Sequence, residues 1–156
     1  MNITTTTVEI VNTSLTYNLD GTKDFAIFLT NILSSLQLCH WYADDYNVHQ
    51  IVGDLYNGLR KSFDQLLEEI IGITKCGCSG FVLSAPHLDP TGLQLYKCSS
   101  GGRIEEILNI INTTLEVLNC QDLKTFIGGS SNGINNTREE ILSSCNKAKY
   151  LLGMIK

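Results

Sequence analysis

The feature that most constrains the fold is a pair of helical patterns joined by a very short corner. Between Thr22 and about Trp41, apolar residues recur at intervals of three and four, which is the spacing of one helix face. The same spacing resumes after Asp45, which like Asp44 is a candidate N-cap, and continues to Gly72, a typical helix stop. The sequence therefore predicts two consecutive helices that meet at a tight corner.

The rest of the chain predicts two more helices after a long connection. Residues 73–102 lose the helical spacing and contain the segments CGCSG and SSGG and both prolines. A third helix is predicted to begin near Arg103, and the segment FIGGSSNGINN is predicted to be a loop. Thr137 and Glu140 form a capping box that opens the last helix. The predicted fold is all-α: a four-helix bundle with a long crossover between helices 2 and 3.

The domain organisation follows from this pattern. Residues 1–21 are rich in Thr and Asn and are predicted to form a flexible or extended N-terminal arm. Residues 22–156 then form one bundle, large enough to bury a substantial core. Only 17% of the residues are charged, which favours a chain that buries part of its surface against copies of itself.

Charge and hydropathy exclude two classes of partner. The net charge is −5, no cluster of Lys and Arg occurs, and residues 1–22 contain neither, so a nucleic-acid partner is not expected. The chain lacks a signal-peptide pattern and any apolar run of the roughly 18 residues that a membrane span needs. We therefore expect an intracellular chain without a membrane partner, in which the six cysteines are reduced thiols.

The candidate site consists of His40, His49, Asp64 and Glu68. The two histidines lie on either side of the corner, and the two acids lie further along the second helix. Asp64 and Glu68 lie about 60° and 100° around that helix from His49, beside the apolar stripe rather than within it. Imidazoles and carboxylates are the ligands of iron and di-metal sites. Because this set lies at the shoulder of the bundle, a neighbouring subunit is expected to complete it.

The HW pair, the second His, and Asp and Glu at fifteen and nineteen residues beyond it resemble the Dps mini-ferritins over about thirty residues. In that family such residues form an iron-oxidising site between two-fold-related subunits. The resemblance implies a ferritin-like bundle, iron as the metal, and His40, His49, Asp64 and Glu68 as its ligands. It also implies self-association as a dimer or a cage.

Two departures from the Dps pattern stand out. The interval between the histidines is shorter than in typical Dps proteins. The family also has an acid four residues after the second histidine, where this chain has Gly53 followed by Asp54. A shift of one residue turns a side chain by about 100° on a helix, so one metal of a pair is expected to be weakly held or missing.

The compact segment HWYADDYNVH, the glycine before Asp54 and the ending REEILSSCNKAKYLL also resemble small ferritin-like proteins of tailed phages, across residues 25–72 and 134–153. This second resemblance implies a viral protein in the host cytoplasm or the virion, with virion proteins as partners. Two functions stay open: Dps-like iron binding, with ferroxidase activity or iron sequestration, or a non-enzymatic phage structural protein on a degenerate ferritin-like scaffold.

Plainer interpretations stand beside these. His40 could simply stack on Trp41, and Asp64 could pair with Lys61. A zinc site at Cys76, Cys78 and Cys98, or a labile disulfide there, is a separate alternative. The remaining cysteines occupy apolar helical positions and are predicted to be buried core thiols: Cys39, Cys120 and Cys145.

Overall fold

The computed structural model describes residues 21–75, 104–128 and 132–155. These ranges contain five helices, namely α1 (Gly21–Trp41), α2 (Tyr46–Lys75), α3 (Ile104–Leu118), α4 (Gln121–Gly128) and α5 (Asn132–Gly153). The same ranges contain no β-strand, so the predicted all-α class is confirmed. The predicted number of four helices is wrong. The predicted arm and the long connection between helices 2 and 3 fall mainly on residues 1–20 and 76–103, outside the described residues.

The short corner between α1 and α2 is closed by a helix cap. Asp45 Oδ1 accepts hydrogen bonds from the backbone N–H groups of Asn47 and Val48, at 2.7 and 3.0 Å. These donors have no partner inside the helix, and the carboxylate also faces the positive end of the helix dipole. The predicted cap is thus confirmed, with Asp45 in this role. The predicted stop at Gly72 is wrong, because α2 continues to Lys75.

The core lies between α1, α2, α3 and α5, where α2 packs on both α1 and α5, and α3 packs chiefly on α5. The predicted apolar stripes of α1 and α2 are buried there. The largest fully buried side chains are Phe25, Phe63, Leu29, Ile32, Leu36, Leu59, Leu66, Ile70, Ile107, Ile110, Ile111 and Leu118. Burial of this apolar surface is the main force that holds the helices together. No described helix is both long and apolar enough to span a membrane.

The segment predicted to be a loop, residues 126–136, is partly helical, because its first three residues belong to α4 and its last five belong to α5. Leu123 is fully buried and Phe126 packs against the core, so their spacing of three residues gives α4 an apolar side. The last helix also begins earlier than the capping box predicted, at Asn132. Ile134 is already fully buried. Thr137 lies inside α5 and accepts a hydrogen bond from Gln65 of α2 at 3.1 Å, so it is not the N-cap.

Arg138 is a buried charged residue that joins α5 to the end of α3. Its Nε donates to the Leu118 carbonyl at 2.6 Å, and Nη2 donates to Asn119 Oδ1 at 2.9 Å. The last carbonyls of a helix lack partners within the helix. Arg138 therefore caps α3 with its positive charge at the negative end of the helix dipole.

Arg138→Met is expected to lower the free energy of unfolding by about 2–3 kcal/mol, because it leaves the buried Leu118 carbonyl without its charged donor. Urea denaturation followed by circular dichroism measures this loss. Glu139, which pairs with Arg138 but is 59% exposed, provides the control. Glu139→Gln should cost no more than about 1 kcal/mol. Equal losses in the two variants would contradict the capping role.

Two of the three described cysteines are core thiols as predicted, since Cys39 and Cys145 are fully buried. Cys120 is half-buried and free, so its prediction as a buried core thiol is wrong. Burial raises the pKa of the Cys145 thiol to about 12, because the thiolate loses its hydration. Cys145 should therefore be almost unreactive in the folded protein, since the thiolate is the nucleophile.

In the folded protein at pH 8, iodoacetamide is expected to modify Cys120 at least roughly 100-fold faster than Cys145. Peptide mapping by mass spectrometry measures the rate at each cysteine separately. In urea the two rates should become similar, because unfolding exposes both thiols. A Cys145 that reacts as fast as Cys120 under native conditions would show that the α5 core opens readily.

Candidate metal centre

The corner brings the two predicted histidine ligands into direct contact. His40 is in the last turn of α1, and His49 is in the first turn of α2. Their rings stack with centroids 3.9 Å apart and planes 25° apart. His40 Nδ1–H donates to the His49 carbonyl at 2.9 Å, and His49 Nδ1–H donates to the His40 carbonyl at 2.8 Å. We call this arrangement the reciprocal histidine pair.

These hydrogen bonds decide which nitrogen is available for chemistry. A carbonyl oxygen can only accept a hydrogen bond, so the Nδ1 atoms of both His40 and His49 must carry the proton. In the neutral rings the lone pair is then on Nε2. An imidazole whose Nδ1–H is held by a carbonyl has the tautomer and fixed orientation that histidine ligands of metals usually show. In the reciprocal histidine pair, Nε2 is therefore the ring nitrogen with a lone pair that could bind a metal ion.

The pair depends on the absence of a side chain at Gly53, which is buried one turn beyond His49. A Cβ at this position would lie 2.8 Å from His40 Cε1 and 2.9 Å from His40 Nδ1. Carbon atoms do not approach so closely without displacing one another. The ring of His40 thus occupies the space where the Dps pattern has an acid. Asp54, the next residue, is exposed on another side of α2.

The predicted carboxylates lie elsewhere on the same helix. Asp64 and Glu68 are both exposed, and they follow His49 by fifteen and nineteen residues. At 1.5 Å per residue, this separation is about 22 and 28 Å along the axis of α2. Accordingly, no group of three or more His, Cys, Asp or Glu that could hold a metal occurs among the described residues. One chain brings the histidines together but not the acids.

The described residues test two of the three plainer interpretations, namely the stacking of His40 on Trp41 and the ion pair of Asp64 with Lys61. His40 stacks on His49, whereas Trp41 is 63% exposed, so the predicted stacking of His40 on Trp41 is wrong. Asp64 forms no ion pair with Lys61 within the described ranges. The alternative zinc ligands Cys76, Cys78 and Cys98 lie outside the described residues.

A groove between α1 and α2 adjoins Asp64. It has a volume of about 620 Å³ and is lined by apolar side chains, including Leu33 and Leu67, and by charged ones, including Arg60 and Asp64. We call it the α1–α2 groove. Sequence reasoning missed both this groove and the role of Gly53. A glycine inside a long helix, four residues after a histidine, was the only available signal for the latter.

No family model, curated protein or solved structure matches the chain.

Gly53→Ala should displace the His40 ring and break the reciprocal hydrogen bonds, lowering the free energy of unfolding by roughly 1–3 kcal/mol. Chemical denaturation measures the stability, and the ¹⁵N shifts of the imidazoles report the loss of the shared Nδ1–H tautomer. Gly72→Ala is the matched control on the same helix, where a Cβ would meet nothing within 4 Å. That variant should be neutral or up to about 1 kcal/mol more stable. The same tautomers in Gly53→Ala as in wild type would contradict the packing argument.

Proposed function

We propose that the chain binds ferrous iron at a site shared between two subunits. The observation that carries this proposal is the reciprocal histidine pair, in which both Nδ1–H groups of His40 and His49 are held by carbonyls. Their Nε2 atoms remain as preoriented ligands. Such fixed tautomers need no rearrangement before metal binding.

The carboxylates of Asp64 and Glu68 are the proposed oxygen ligands. Iron accepts both imidazole and carboxylate, and this combination is typical of non-haem sites. Within one chain the acids lie about 22–28 Å along α2 from His49, so they can meet the histidines only through a second copy. Because Asp64 and Glu68 are exposed, the second copy can reach them without unfolding.

The position of Gly53 favours one metal ion per site rather than two. Its backbone supplies no carboxylate, and His40 fills the space beside it. Oxidation by peroxide requires two ferrous ions, each losing one electron, and yields two ferric ions and two waters from one peroxide and two protons. A site for a single ion must complete this reaction in two separate one-electron oxidations. We therefore expect iron binding and sequestration with little fast ferroxidase activity.

The helix contacts support a ferritin-like scaffold for this site. Thr137 of α5 bonds to Gln65 in the C-terminal half of α2, and the adjacent Arg138 bonds to Leu118 at the end of α3. The start of α5 thus contacts the C-terminal half of α2 and the C-terminus of α3. A ferritin-like bundle with a crossover between its second and third helices would have this relation.

The second candidate is a non-enzymatic phage structural or virion-associated protein, working in the host cytoplasm or the virion. The observation that favours it is the same packing of His40 over Gly53. The reciprocal bonds tie α1 to α2 and give the His40 carbonyl, in the last turn of α1, a hydrogen-bond donor, so in this interpretation the histidines only fix the corner. In this case His40→Ala would lower stability while the wild-type protein takes up no iron.

Anaerobic Fe²⁺ titration with metal analysis separates the two candidates. The proposed site predicts about one iron per chain, lost in both His49→Ala and Glu68→Gln because each removes a ligand. Glu140→Gln, an exposed acid on α5, is the control and should bind like wild type. Wild-type uptake in the two ligand variants would reject the proposed site.

Mixing the two ligand variants tests whether subunits share the site. If His49→Ala and Glu68→Gln chains are refolded together in equal amounts, half of the dimers are mixed and each mixed dimer has one intact site of two. Iron binding should then recover to about one quarter of the wild-type capacity. Ligands supplied by a single chain would give no recovery at all.

A further inference from the structure

The corner between α1 and α2 carries three exposed aromatic side chains. Trp41 is 63% exposed, Tyr42 is 59% exposed and Tyr46 is 73% exposed. All three lie between positions 41 and 46, at the same end of the two helices, and we call this surface the aromatic corner. Since one aromatic side chain presents roughly 150–250 Å², the exposed aromatic area is on the order of 300–500 Å². Apolar patches of this size on a single chain are often functional.

The packing of the described residues does not use these rings. No ring contact, ion pair or side-chain hydrogen bond with another described residue involves Trp41, Tyr42 or Tyr46. The turn is instead held by Asp45, which caps α2, and by the reciprocal histidine pair. Trp and Tyr are enriched among the residues that contribute most to binding at protein interfaces. The aromatic corner therefore has the composition of a binding surface rather than of a structural turn.

The charge of the aromatic corner is negative. Asp44 and Asp45 lie between the rings in the chain and are both exposed, and residues 24–59 contain no Lys or Arg. Asp44 forms no ion pair with a described residue, whereas Asp45 offsets the positive end of the α2 dipole. The surface therefore attracts cations and repels the phosphate groups of nucleic acids and of anionic membranes.

Aromatic rings next to a carboxylate suit the side chain of arginine better than that of lysine. The planar guanidinium group stacks on an aromatic face, and its edge donates two parallel hydrogen bonds to a carboxylate. The lysine ammonium is a compact and strongly hydrated charge that gains less from a ring. Three rings offer more surface than one guanidinium covers, so the aromatic corner fits a segment with several arginines rather than a single small cation.

We propose that the aromatic corner binds an arginine-rich segment of another protein. The guanidinium groups stack on the rings of Trp41, Tyr42 and Tyr46, and Asp44 pairs with at least one of them. Burial of the rings supplies the apolar part of the binding free energy, and the carboxylate selects the charge of the partner. This inference does not rest on the proposed function, because none of these four side chains is a proposed iron ligand.

Trp41 reports on this surface directly, because it is the only tryptophan of the chain. The full chain is titrated in EDTA with a short peptide of alternating Arg and Ser. The peptide should protect Trp41 from quenching by acrylamide, and the fluorescence anisotropy of a labelled copy should give its Kd. A peptide of alternating Lys and Ser carries the same charge and should bind at least about 3-fold more weakly.

Substitutions in the aromatic corner test its two components separately. Asp44→Asn and Tyr46→Ala should each raise the Kd of the Arg peptide roughly 2- to 5-fold. Glu140→Gln removes an exposed acid of α5, and Ile27→Ala removes an exposed apolar side chain near the start of α1. Both of these controls should bind like the wild type. Circular dichroism checks that each variant is folded.

Several results would overturn the proposal. Absence of binding by the Arg peptide would do so, as would equal binding of the two peptides or equal losses in Asp44→Asn and Glu140→Gln, because these indicate attraction to net charge alone. A Trp41 already shielded from acrylamide without peptide would show that the corner is covered by the chain or its copies. Binding to anionic phospholipid vesicles in preference to the peptide would assign the surface to a membrane instead. Iron enters none of these measurements, so their failure leaves the proposed function untouched.

Discussion

The reciprocal histidine pair is the interaction on which the rest of the candidate site depends. Its two hydrogen bonds join the end of α1 to the start of α2, and one of them gives the His40 carbonyl, in the last turn of α1, a donor that the helix does not supply. The same bonds fix both imidazole tautomers. The same two N–H groups thus hold the corner together and fix the imidazole tautomers. Any change that separates the rings therefore alters both the corner and the proposed ligands.

Gly53 links the packing of the corner to the number of metal ions that the proposed site can hold. The ring of His40 can lie against α2 only because no Cβ stands there, and the missing side chain is also a missing ligand. In the proposed site, this packing of the corner leaves no space at position 53 for the side-chain ligand that a second metal ion would need. The short interval between the two histidines and the presence of Gly53 belong to the same packing of the corner. They are therefore not two independent departures from the Dps pattern.

The parts of the fold that local chemistry decides were predictable. The stripes of α1 and α2 repeat at helical spacing, and Asp45 caps α2 through donors two and three residues away. The parts that depend on distant contacts were not. Leu123 of α4 is buried in the core. Thr137, which was predicted to cap the last helix, lies inside α5 and accepts a hydrogen bond from Gln65 of α2.

By itself, the sequence determined the helical class, the corner, and which side chains can act as ligands, because periodicity, caps and donor types are local properties. Only the tertiary structure decided that His40 and His49 stack on each other, since that contact joins two helices across a turn. It also decided that Asp64 and Glu68 stay apart from them. A straight helix keeps residues that are fifteen positions apart about 22 Å from each other along its axis. A helical wheel shows only that such residues lie on the same side of the helix.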